Sequence, residues 1–179
     1  MKIMRGEKGF TLIEVITIVA ILGAIMGVVS MTIIMVMKIS PQNNDWAVAL
    51  RQVQNAGYWI SRDVMMAQSV NVTTLEFLTL EWVILDDDGN SANCTVTYQF
   101  EDMSDGMKRL IRQKQVGDEP EEQILIAENI YYDPDGDPSN STKVIDYESP
   151  TLTVKMTATC GETTVSRQYE TTQRVPTSE

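Results

Sequence analysis

The sequence contains no histidine. Ser-His-Asp and Cys-His catalysis are therefore excluded, and so is any histidine-ligated zinc site. Cysteine is nearly absent as well. Cys94 and Cys160 stand 66 positions apart, which is no metal-binding spacing. They allow one long-range disulfide in an oxidising compartment. Basic residues are scarce after the first forty positions. Residues 39–179 hold 10 Lys/Arg against 23 Asp/Glu, a net charge of −13. A nucleic-acid binder needs a basic face, and this stretch has the opposite balance. The acidity reads as solubility outside the cell. Proline is missing up to Pro41, and no charge falls between Val15 and Met37.

Those last two absences define what is present. Val15 to Met37 is a run of 23 uncharged residues, mostly Ile, Val, Met, Leu and Ala. As a helix it would span about 35 Å at ~1.5 Å per residue, enough to cross a hydrocarbon core of ~30 Å. Lys2, Arg5 and Lys8 precede it, against one acid, Glu7. The positive-inside rule then puts the N-terminus in the cytoplasm and the acidic remainder outside. A secretory signal peptide has a shorter apolar region, roughly 7 to 15 residues, followed by a small-residue cleavage site. Val28-Val29-Ser30 is the only weak candidate for such a site, and the run is too long. A plain signal anchor accounts for everything except the stretch GFTLIEV, residues 9–15, which sets Glu14 at the edge of the apolar run. A carboxylate near the centre of a membrane helix costs at least ~2.5 kcal/mol, and less near an interface. Glu14 is thus either a functional group or a side chain that snorkels to the headgroups.

KGFTLIEV, residues 8–15, followed directly by the apolar run, resembles the type III signal sequence of type IV prepilins and pseudopilins. The likeness covers residues 1–38. It implies cleavage between Gly9 and Phe10 by a membrane prepilin peptidase, and N-methylation of the new Phe10 amine. The cut removes residues 1–9 as a cytoplasmic leader and keeps residues 10–38 as the transmembrane and assembly helix. It also implies that Glu14 neutralises the N-terminal amine of a neighbouring subunit in a filament. A buried carboxylate is tolerable when so paired, and the pairing would set axial register. Many major pilins carry a proline in the middle of this helix. Here there are only Gly23 and Gly27, which leans toward a pseudopilin or minor subunit.

SPQNND, residues 40–45, predicts a helix break near Pro41, because proline lacks an N–H and disfavours helix at the residue before it. Asn44 or Asp45 can cap a second helix over residues 46–69. Leu50, Val53, Gly57, Ile60, Val64 and Ala67 form its apolar stripe, with Arg51, Gln54, Arg62 and Asp63 away from it. From residue 74 the pattern turns to strand, with six strands expected over 74–85, 94–101, 108–115, 123–132, 152–159 and 164–171. DDDGNSAN, residues 86–93, and SDG, residues 104–106, read as hairpin connections. Cys94, Val96, Tyr98 and Phe100 share one face, as do Leu152, Val154, Met156, Ala158 and Cys160. Both cysteines therefore face the apolar side, which fits a disulfide or two separate buried thiols equally. The expected fold is α+β: a long N-terminal transmembrane helix, broken near Pro41, leads to a helix on a mostly antiparallel sheet in an extracytoplasmic domain, residues 39–179. This is the pilin-like architecture. Residues 58–69, 96–113 and 124–137 bear a looser resemblance to the J-type minor pseudopilin of type II secretion systems.

Asp133, Asp135 and Asp137 resemble part of a calcium loop. An EF-hand loop needs a glutamate at its twelfth position, and position 144 is Val144. A Pro/Gly turn is the plainer reading, with calcium the one cofactor weighed. No acid pair stands out for catalysis, so no enzyme activity is expected. The resemblance implies a minor pilin or pseudopilin of a type IV pilus or type II secretion-like filament. Its partners would be other such subunits, prepilin peptidase, an inner-membrane assembly platform and, before assembly, membrane lipid. The alternative is a signal-anchored extracytoplasmic binding or sensor domain that never polymerises.

Overall fold

The computed structural model describes residues 9–72, 77–85, 89–134 and 139–174. The chain divides into two compact units, residues 1–41 and 42–179.

Helix α1 runs from Leu12 to Met66 as one element. The break expected near Pro41 does not occur. Proline removes one donor, its own, from the helical ladder. Ending the helix there would add the cost of nucleating a second one a few residues later, and continuing avoids that cost. In the first unit every residue from Gly9 to Ile39 is exposed. The apolar run still contains three hydroxyls, and each is satisfied internally. Thr17, Ser30 and Thr32 donate to the carbonyls of Ile13, Met26 and Val28, four residues back, at 2.8, 2.8 and 2.9 Å. A helix bound for lipid must satisfy its polar groups within itself, and this one does.

In the second unit α1 lies on a sheet whose strand pairings are all antiparallel. The strands are β1 (Ser69–Asn71), β2 (Leu78–Leu85), β3 (Ser91–Asp102), β4 (Lys108–Val116), β5 (Glu122–Ile130), β6 (Lys143–Glu148), β7 (Thr151–Cys160) and β8 (Thr163–Thr172). Their order is β1-β2-β3-β4-β5-β7-β6, with β8 paired to β7. Six strands fall where the sequence predicts them; β2 begins at Leu78, and the predicted start at residues 74–76 lies outside the described residues. The helix stops at Met66 rather than residue 69, and Ser69 opens β1 instead. The β6 strand was not expected. It is a half-exposed edge strand with a register shift between Val144 and Asp146, and this shift breaks the alternation on which strand reading relies.

The core closes between the helix and the inner face of the sheet. Ala49, Val53, Ala56, Ile60, Val64 and Ala67 of α1 are buried against Leu80, Val96, Leu110, Ile130, Leu152 and Met156. The steps along α1 follow one helical face. Gly57 belongs to this face for a specific reason: a Cβ there would come within 2.2 Å of the ring of Tyr169 on β8. The Tyr169 hydroxyl donates to the Val53 carbonyl at 3.1 Å.

Candidate processing and assembly segment

Gly9, Phe10 and Thr11 precede the helix and are not part of it. Thr11 caps it: its carbonyl accepts the Glu14 N–H at 3.0 Å and the Val15 N–H at 3.3 Å. Thr11-Leu12-Ile13-Glu14 has the spacing of a capping box, with the acid at the third helical position. Glu14 is the acid of the first turn, where the exposed N–H groups and the helix dipole favour negative charge. This local role gives the carboxylate a reason to sit at position 14 before any partner arrives.

Gly9 is different. A Cβ at Gly9 would meet nothing within 4 Å, and its φ lies outside the left-handed region. Nothing in the fold requires glycine at this position. Phe10 beside it is 75% exposed. Residues 1–8 lie outside the described residues.

Of the other predicted site residues, Cys94 and Cys160 are not brought together, and of the calcium candidates only Asp133 is described. Asp133 receives support at its backbone, where its N–H donates to Ser141 Oγ at 2.8 Å. Asp135 and Asp137 lie outside the described residues. No group of three metal-binding side chains forms among the described residues. The disulfide between Cys94 and Cys160 is not made, and both are free thiols. The sheet order explains this: β3 and β7 are three strand steps apart, at ~4.8 Å per step, well beyond the ~7 Å that a disulfide spans between Cα atoms. Burial pushes the Cys94 thiol up. Cys160 Sγ lies 3.8 Å from Asp45 Oδ1, and partial burial together with that carboxylate raises its pKa too. Both thiols are thus held in their less reactive form.

One constellation escaped the sequence. Asp63, expected on the exposed side of α1, is fully buried. Its Oδ2 accepts the Tyr98 hydroxyl at 2.6 Å and Arg112 Nε at 2.6 Å, while Oδ1 accepts Arg112 Nη2 at 3.3 Å. Burial and the Asp63 charge push the Tyr98 hydroxyl pKa well up. Burial works against the Arg112 cation, but its bonds to Asp63 outweigh this and hold its pKa above the ordinary value. The sign that could have found Asp63 is its place beside Val64 in the stripe, with an arginine on the inner face of a predicted strand. This triad is a buried strut between helix and sheet.

Residues 4–30 match the prokaryotic N-terminal methylation motif. The match takes in Gly9, Phe10, Glu14 and the apolar run as far as Ser30. No curated protein matches the chain, and no solved structure does. The N-terminus therefore carries a type IV prepilin-like signal joined to a membrane-anchoring helix.

Proposed function

We propose that this chain, which bears a type IV prepilin-like methylation signal, is a minor pilin or pseudopilin of a type IV pilus or type II secretion-like filament. The observation that carries the proposal is the overlap, within residues 4–30, of the methylation motif with the N-terminal stretch of α1, whose apolar side chains are all exposed. Such a surface needs lipid first and other helices later.

The sequence of events follows from the residues. The precursor waits as a single-pass protein of the cytoplasmic membrane, its leader inside and its acidic domain outside. Prepilin peptidase cuts between Gly9 and Phe10, where the exposed chain can be gripped, and the Phe10 amine is methylated. The cut creates a cation four positions before Glu14. In the membrane, Glu14 is held near the interface by its place in the first turn. In a filament it meets the amine of the adjacent subunit, so two charges that are costly apart enter the apolar core as a pair. Apolar packing along residues 10–37 supplies the cohesion, and the domain supplies the outer surface. The role is structural, with no catalytic step.

The test is incorporation. Glu14→Val should be cut and methylated normally yet be absent from sheared filament fractions that contain the wild-type chain. Normal incorporation of that variant would contradict the register role of Glu14. Failure of the wild-type chain to enter any filament fraction would favour a signal-anchored domain that never polymerises.

A further inference from the structure

Between Trp46 and Met66 the helix holds three charged residues: Arg51, Arg62 and Asp63. Asp63 is fully buried. The exposed face of this stretch is thus purely cationic, on a domain that is otherwise strongly acidic. Tyr58 is 61% exposed at its centre, with the Trp59 ring edge-on to it at 6.2 Å. The Arg62 guanidinium lies 4.1 Å over the Trp59 ring.

Arg62 is short of partners. Two guanidinium groups compete for the Asp63 carboxylate, and Arg112 takes the close contacts at 2.6 and 3.3 Å. Arg62 is left with one ion-pair contact, at 3.5 Å, and its side chain stays 40% exposed, so the open side of its guanidinium faces solvent. On the opposite flank, Tyr58 joins Gly57, Ser61 and Arg167 of β8 along an open groove of about 350 Å³. An exposed tyrosine beside a half-buried tryptophan stacked with arginine has the composition of a protein contact centre. A 40%-exposed guanidinium with one long ion pair within it can take a carboxylate on its open side.

We propose that this strip, centred on Tyr58 and Arg62, docks a carboxylate-bearing face of a different pilin-like subunit. The inference rests on the filament reading above and adds the chemistry of the neighbour. A second copy is the poorer occupant, because it would bring another domain of net charge −13 into contact. The incoming carboxylate would complete Arg62, while Tyr58 would give apolar area. Arg51, two helical turns before Tyr58, would steer the approach.

Photo-crosslinking tests this, with p-benzoylphenylalanine in place of Tyr58 in the full-length chain in its native membranes. The expected product is a crosslink to a distinct pilin-like subunit, in a peptide containing Asp or Glu. Arg62→Glu and, independently, Arg51→Glu at an exposed position should each lower its yield by about fivefold or more. Changing the partner's acid to arginine should restore it. Unchanged yield in both reversals, or crosslinks only to a second copy or to lipid, would overturn the inference. The filament fraction is scored separately: a wild-type chain that enters filaments without this crosslink defeats the docking strip alone, and one absent from filaments defeats the functional reading itself.

Discussion

The ring of Tyr169 on β8 lies directly over Gly57 of α1, in the space a Cβ at position 57 would need. The same tyrosine donates to the Val53 carbonyl one turn earlier at 3.1 Å. Glycine here is a packing requirement, since it lets the last strand approach the helix backbone. Gly57→Ala should therefore destabilise the domain despite alanine's better helix propensity. An overpacking cost of about 1–3 kcal/mol is expected, read from chemical denaturation of the detergent-solubilised chain. A gain in stability would show that propensity outweighs the contact.

Removing one partner of the Asp63–Arg112 pair should cost more than removing both. Arg112 has a side chain only 3% exposed, so Asp63→Asn strands a buried cation and should destabilise by about 3–5 kcal/mol. The double change Asp63→Leu with Arg112→Met should be far milder. A double-mutant cycle by denaturant melts measures the coupling. Additive losses would mean the pair is not a unit.

Alkaline stability follows from Tyr98. Its pKa is raised in the folded state by burial and by Asp63, from about 10 in the unfolded chain. Above pH ~10 the unfolded state releases this proton while the folded state keeps it, so unfolding becomes favoured as pH rises. Stability should be level below that point and fall beyond it. Tyr98→Phe should begin less stable but show a shallower alkaline decline. Tyrosinate absorbance should show part of the tyrosine signal appearing only on unfolding.

The two thiols should titrate separately. Cys94 is fully buried and Cys160 half-buried beside Asp45. A maleimide probe should label Cys160 slowly in the native chain and Cys94 only after unfolding. A Cys94–Cys160 peptide in a non-reducing map would contradict the sheet order.

What the sequence disclosed depends on how each feature is encoded. GFTLIEV was legible because a processing signal is read along the chain and needs no fold. The helical stripe and six of the strands were legible because each carries its own periodicity. Asp63 was not: a charge next to an apolar stripe looks solvated until Arg112, 49 positions later, is seen to lie against it. Tyr98 was placed on the correct face, but its hydroxyl partner was invisible for the same reason. The disulfide failed on long-range geometry. Two apolar-facing cysteines say nothing of the two strands, β4 and β5, that the sheet inserts between them. The helix continues through Pro41 because cooperativity across 55 residues outweighs one missing donor.

The account rests most heavily on the cut after Gly9. Intact-mass spectrometry of the chain, isolated from membranes with and without prepilin peptidase, tests it directly. With the peptidase, the wild-type mass should equal residues 10–179 plus one methyl group. Gly9→Val, whose Cβ meets nothing within 4 Å among the described residues, should keep the full precursor mass. A wild-type chain that retains Met1 in the presence of the peptidase, or a Gly9→Val chain cut as efficiently as wild type, would contradict the account.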